Sequence, residues 1–155
     1  MQNNIAQIKE LIRIGNFDEA TVMLDQIQTD NIDDINLIFD IADIYQLMGK
    51  GIMYVKLMEK ILQKDKNNVN CVKKLAEYYM DECNYEKSED YLINAIGLNN
   101  KDIDLYVLLG ELYEETEDMT KAIEIYEKAD KNTGSNYFRK KISAIKKNNT
   151  HQFYA

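Results

Sequence analysis

Apolar residues recur along this chain in short stripes, separated by polar breaks at regular intervals. Ile38, Ile41, Ala42 and Tyr45 are spaced i, i+3, i+4, i+7, which places them on one face of a helix with 3.6 residues per turn. Met58, Ile61 and Leu62 repeat the spacing a short distance on. Between such stripes stand helix breakers: Gly15-Asn16, Gly49-Lys50-Gly51, Cys83-Asn84 and Glu117-Asp118. Glycine accepts the left-handed backbone that ends a helix, and Asn or Asp caps the helix that follows. A second set of breaks falls at Asp33-Asp34, Asn67-Asn68, Asn100-Lys101-Asp102 and Gly134-Ser135. The pattern therefore predicts paired helices with tight turns, in a chain that has no proline to punctuate it.

The pairs repeat with a fixed period. Leu109, Gly110 and Tyr113, followed by Ala122, Tyr126 and Ala129, have counterparts 34 residues earlier in Leu75, Ala76, Tyr79, Ser88, Leu92 and Ala95. A second step back gives Ile41, Ala42, Tyr45, Met58 and Ile61, and a third gives Gln7, Ile8, Leu11, Ala20, Leu24 and Ile27. The windows are 1–34, 35–68, 69–102 and 103–136, without an insertion. Small residues at Ala42, Ala76 and Gly110, and at Ala20, Ser88 and Ala122, allow two helices to approach closely. Phe17, Tyr45, Tyr79, Tyr85, Tyr113 and Tyr126 are expected to fill the core between them. Tyr54 stands in a small-residue slot and is expected to splay its helix pair or redirect its partner. Beyond 136, Phe138, Ile142 and Ile145 share one face of a last helix, 137–148. A repeat array needs such an element, with a polar outer face, to cover its final apolar stripe. Residues 149–155 are expected to fray.

This pattern resembles the tetratricopeptide repeat, through Leu109-Gly110, Tyr113, Ala122, Tyr126 and Ala129 and through the run from Gly15 to Ala20. The tryptophan slot of that family holds Asn4, Ile38, Val72 and Tyr106, and its proline slot holds Ile32, Lys66, Asn100 and Gly134. The resemblance implies an all-α, right-handed α-solenoid of four helix–turn–helix repeats plus a C-terminal capping helix, as one domain over 1–148. It also implies a concave groove lined by the first helices, where ligand peptides lie. Carried over slot by slot, that groove presents Asn36, Phe39, Asp40 and Asp43, then Asn70, Lys73 and Glu77, then Asp104, Val107 and Glu111. Its edge adds Gln46, Asp81, Glu114 and Glu115. Asp43, Glu77 and Glu111 are one period apart, as are Asn36, Asn70 and Asp104 two helical turns earlier, so both ladders share one helix face. The amides suit an extended peptide backbone and the acids favour Lys or Arg in the ligand. The lysine-rich clamp by which some members hold a C-terminal carboxylate is absent, since Lys73 is followed in those slots by Glu77 and Leu108.

Charge sharpens this reading. The net charge of −8 argues against nucleic acid as partner, because phosphate backbones recruit positive surface. Counting Lys and Arg against Asp and Glu, the windows carry −5, +1, −3 and −6, and 137–155 carries +5. The basic last helix is thus expected to dock on the acidic fourth window, with the apolar face supplying most of the energy, since exposed ion pairs contribute under ~1 kcal/mol each.

Chemistry has little to build on. The one histidine, His151, leaves catalytic triads and His-containing zinc sites without a centre. Asp40/Asp43, Glu77/Asp81 and Glu111/Glu114 are read as solvated faces and not metal ligands. Cys71 and Cys83, on one helix, would lie roughly 18 Å apart and stay as free thiols, as suits the cytoplasm. The N-terminus lacks the basic and apolar regions of a signal peptide, and no apolar run reaches the ~18 residues of a membrane span. The expectation is a non-enzymatic scaffold or adaptor, without cofactor, that binds a protein or peptide bearing basic residues. Two alternatives remain: a peptide-sensing regulatory module, or a unit that self-associates through Ile5, Ile8 and Ile12 in the weakly marked first window.

Overall fold

The computed structural model describes the backbone of residues 2–152 and the side chains of residues 3–147. His151 and the expected frayed segment, 149–155, have side chains outside the described residues. Two compact units divide the chain, Met1–Asn68 and Val69–Ala155. The first contains α1 (Gln2–Arg13), α2 (Phe17–Asp25), a short 3-10 turn at Thr29–Asn31, α3 (Ile35–Leu47) and α4 (Gly51–Lys64). The second contains α5 (Val69–Asp81), α6 (Tyr85–Leu98), α7 (Ile103–Glu115), α8 (Met119–Thr133) and α9 (Asn136–Gln152). No strand occurs among the described residues. The fold is all-α, and each 34-residue window holds one pair of helices.

Four turns inside the pairs share one geometry. The backbone is left-handed at Gly15 (φ +80), Gly49 (φ +68), Cys83 (φ +56) and Glu117 (φ +60), each 34 residues from the last. The next residue then donates its N–H five positions back, Asn16 to Leu11, Lys50 to Tyr45, Asn84 to Tyr79 and Asp118 to Tyr113, at 2.7–2.8 Å. This is the Schellman arrangement, which satisfies the carbonyls a helix end leaves open. That same residue caps the following helix in three of the four turns: the Asn16, Asn84 and Asp118 side chains accept from the N–H groups of Glu19, Lys87 and Lys121. Lys50 cannot accept and leaves α4 without a side-chain cap.

Two of these left-handed positions are not glycine, and an L-residue pays about 1–2 kcal/mol for that conformation. Glu117→Gly is therefore expected to stabilise the fold by about 0.5–1 kcal/mol after the extra freedom glycine gives the unfolded chain. A urea midpoint that moves down instead of up would refute this.

Packing follows the small-and-large pattern. Ile41, Ala42 and Tyr45, Leu75, Ala76 and Tyr79, and Leu109 and Tyr113 are all buried. Tyr54 is 1% exposed, so its ring lies within the core of the first unit. Ser88, the one buried polar residue among the described residues, donates its hydroxyl to the Ala76 carbonyl at 2.9 Å, which ties α6 to α5. Two expectations need correction. Of the three isoleucines expected to be uncovered, Ile5 and Ile8 are 4% and 0% exposed, because α1 packs on both α2 and α3, while Ile12 is half-buried. Phe17 is 50% exposed, since it opens α2 at the turn instead of lying within the helix pair.

Candidate functional site

The candidate positions lie on the first helix of each pair. In the first unit, α3 exposes Asn36 and half-buries Phe39, Asp40 and Asp43. In the second, α5 and α7 expose Asn70, Glu77, Asp104 and Glu111, and half-bury Lys73 and Val107. These side chains stand outside the buried stripes because every slot falls between the core positions of its helix.

Two lysines reorganise the charge on these faces. Lys9 donates to Asp40 at 2.6 Å in the first unit, from α1 to α3. Lys73 donates to Asp104 at 2.9 Å and pairs with Asp102 at 3.1 Å in the second unit, from α5 to α7. Both clasps span 31 residues. Burial works against the Lys73 charge, yet hydrogen bonds and attraction from Asp104 and Asp102 outweigh it and raise the pKa of the ammonium. Lys9 and Asp102 were not among the sequence candidates. Lys9 occupies the slot that holds Asp43, Glu77 and Glu111 in later windows, a sign reversal visible in the register itself. On the α5–α7 face Lys73 is thus set against four carboxylates, Glu77, Asp102, Asp104 and Glu111, of which Asp102 and Asp104 are already engaged by it.

The edge residues have structural duties. Glu114 accepts from the Tyr126 hydroxyl at 2.5 Å and from Lys141 at 3.0 Å, so it joins α7, α8 and α9. Burial, then the hydrogen bond to Glu114, pushes the Tyr126 pKa well above the ordinary phenol value. Glu115 accepts from Tyr85 at 3.1 Å. Contacts with Cys83 and then Glu115 push Tyr85 up to about 12. Gln46 and Asp81 are exposed. Cys71 is buried, Cys83 exposed, and both are free thiols.

The basic last helix is largely spoken for. Arg139 reaches both carboxylate oxygens of Asp130 at 2.9 and 3.0 Å, and Lys146 reaches Glu127 at 3.4 Å. Phe138 and Ile145 are buried beneath them. Among the described residues, no group of three His, Cys, Asp or Glu side chains is placed to hold a metal ion. No helix among them is long and apolar enough to cross a membrane.

The sequence profile of the tetratricopeptide repeat matches residues 103–136, which are α7, α8 and their turns. This segment is a tetratricopeptide repeat. The repeat thus defined contains the Gly110 and Tyr126 pair and its bond to Glu114, with α9 packed on its second helix. Solved structures extend the likeness to nearly the whole chain. A structure described as the crystal structure of MamA aligns over 92% of this chain and 84% of its own, at 19% identity and a TM-score of 0.67. MamA 41-end from Desulfovibrio magneticus RS-1 aligns over 96% and 85%, at 17% identity and a TM-score of 0.65. The pilF protein of Pseudomonas aeruginosa aligns over 97% of this chain and 69% of its own, at 15% identity and a TM-score of 0.64. At these identities the likeness is one of fold. No curated protein sequence matches the chain.

Proposed function

We propose that this protein is a non-enzymatic scaffold that binds a protein segment carrying Lys or Arg along its first helices. The observation that carries the reading is the pair Glu77 and Glu111, both exposed, in one register on α5 and α7 beside the Lys73–Asp104 clasp. The clasp fixes the two helices relative to each other, so the carboxylates are presented at a set spacing with little ordering cost. Asn70 supplies an amide for a peptide backbone, and Val107 an apolar contact. In the first unit, Asn36, Phe39 and Asp43 would serve a similar purpose around the Lys9–Asp40 clasp. Two free thiols suit a reducing compartment, the cytoplasm.

Selection of random displayed peptides on the immobilised full chain tests this. Peptides with Lys or Arg should be enriched, and Glu77→Lys with Glu111→Lys should weaken them roughly a hundredfold, as expected when attraction becomes repulsion at two sites. Selected peptides without basic residues, or binding unchanged in the double variant, would defeat the proposal.

A further inference from the structure

The first unit carries an apolar edge for which the later windows have no counterpart. α1 and α3 pack side by side, and the Lys9–Asp40 clasp at 2.6 Å fixes which of their ends coincide. Ile14 follows Lys9 by five residues and Leu47 follows Asp40 by seven, so both helices finish at one edge of the unit. Two turns there lead the chain back into α2, which opens on Phe17, and α4, which opens on Gly51 and Ile52. Ile14, Phe17, Leu47 and Ile52 are 59%, 50%, 71% and 88% exposed. The slots of Ile14, Leu47 and Ile52 hold Glu82, Asp81 and Glu86 in the third window, and Thr116, Glu115 and Thr120 in the fourth. At ~200 Å² for a large side chain in the open, the four expose on the order of 500 Å², near the upper end for the largest patch on a monomer.

We propose that two copies of the chain pair at this edge, about a two-fold axis that sets the first turn of one on the second turn of the other. Ile14 and Phe17 then cover Leu47 and Ile52 of the second copy, and the contact repeats in reverse, as a two-fold interface requires. The charges of the two turns fit this pairing. The start of α2 is acidic, with Asp18 and Glu19 exposed beside Phe17. The start of α4 is basic, with Lys50 before Ile52 and Lys56 one helical turn after it. Arg13, on the first turn, is already matched, since it reaches both carboxylate oxygens of Glu10 at 2.6 and 2.7 Å. Lys50 meets Asp25 at 4.0 Å, too far for a hydrogen bond, and leaves much of its charge to a partner. Each chain thus offers an acidic turn and a basic turn to the basic and acidic turns of its copy. Gly15 and Gly49, with open space beside them, leave room for the facing side chains. An anionic bilayer is a poorer occupant, because the two windows of this unit carry −5 and +1. The two edges bury about 1,000 Å² together, the lower limit for a specific interface, so the dimer is weak and reversible. These residues are distinct from the first-helix positions, and the pairing does not rest on the basic-peptide reading.

The test is sedimentation equilibrium of the full chain from micromolar to millimolar concentration, over which the wild type should pass from monomer to dimer. Leu47→Gln with Ile52→Gln, both exposed, should weaken dimerisation by roughly tenfold or more. The helical signal and melting temperature of the dilute monomer should stay as they were. Asp18→Lys and Lys56→Glu should each weaken it roughly fivefold, and the two together should recover most of the loss, because acid and base have only exchanged places. The proposal is overturned if the wild type stays monomeric to millimolar concentration, if the glutamine variant dimerises as the wild type does, or if the two charge changes add instead of offsetting. A monomer that co-sediments with phosphatidylcholine–phosphatidylglycerol vesicles, and ceases to in the glutamine variant, assigns the edge to a bilayer and overturns it as well.

Discussion

Gly110→Ala is expected to destabilise the second unit, although alanine favours helix over glycine by about 1 kcal/mol. A Cβ at this position would sit well inside 3.0 Å of Cε1, Cζ and Oη of Tyr126. Yielding requires the ring to move, and the ring is confined. Tyr126 is fully buried, its hydroxyl is bonded to Glu114, and Phe138 lies 5.8 Å away by ring centroid. Overpacking of this kind costs about 1–3 kcal/mol, and the rigid surroundings place the cost at the upper end. The net loss should be about 2 kcal/mol, which lowers the melting temperature by roughly 4–8 °C for a chain of this length.

The neighbouring windows supply the compensating change. The two slots held by Gly110 and Tyr126 hold Ala76 and Leu92 in the third window and Ala42 and Met58 in the second. Where the first-helix residue gains a Cβ, the second-helix residue loses its ring. Gly110→Ala together with Tyr126→Leu should therefore cost less than the sum of the single changes, with a coupling of at least ~1 kcal/mol. Urea unfolding of the four proteins measures it. Strict additivity would mean that the close approach of α7 and α8 does not govern the glycine.

The pattern of this chain carried much of the fold and less of the site, for physical reasons. Turn positions were legible because a Schellman ending places one left-handed residue at a fixed offset. The 34-residue register identifies Cys83 and Glu117 as that residue, although neither side chain suggests it. Burial was harder to read in the first window. Ile8 there is matched with a weak signature, yet burial depends on what packs over a helix, and α2 and α3 both cover it. The clasps were hidden by their geometry. Lys9 and Lys73 occupy different slots, so no ladder of one slot reveals them. Each reaches an acid 31 residues on, three short of the period, because a long side chain crosses to the neighbouring helix obliquely.

Phe138→Ala should be the most damaging single change in the last helix. Phe138 is fully buried, with the rings of Tyr106, Tyr126 and Tyr137 at centroid distances of 6.2, 5.8 and 5.4 Å. Truncating a phenylalanine so enclosed costs about 3–5 kcal/mol, or roughly 6–20 °C in melting temperature. The ionic contacts of α9 are a fair comparison. Arg139–Asp130 and Lys146–Glu127 join side chains of which Arg139, Lys146 and Glu127 are more than half exposed, so each pair contributes under ~1 kcal/mol. Arg139→Gln with Lys146→Gln should thus lower the melting temperature by only a few degrees and leave the amides of α9 protected from hydrogen exchange. Phe138→Ala should expose them, because the remaining apolar anchor, Ile145, lies two turns further on. It should also loosen Tyr126, whose ring loses the neighbour that holds it over Gly110. If the charge variant releases α9 and the alanine variant does not, attraction between the basic helix and the acidic fourth repeat dominates the docking. The dependence on salt would then be strong, whereas a seat made by Phe138 and Ile145 should hold with little change as ionic strength rises.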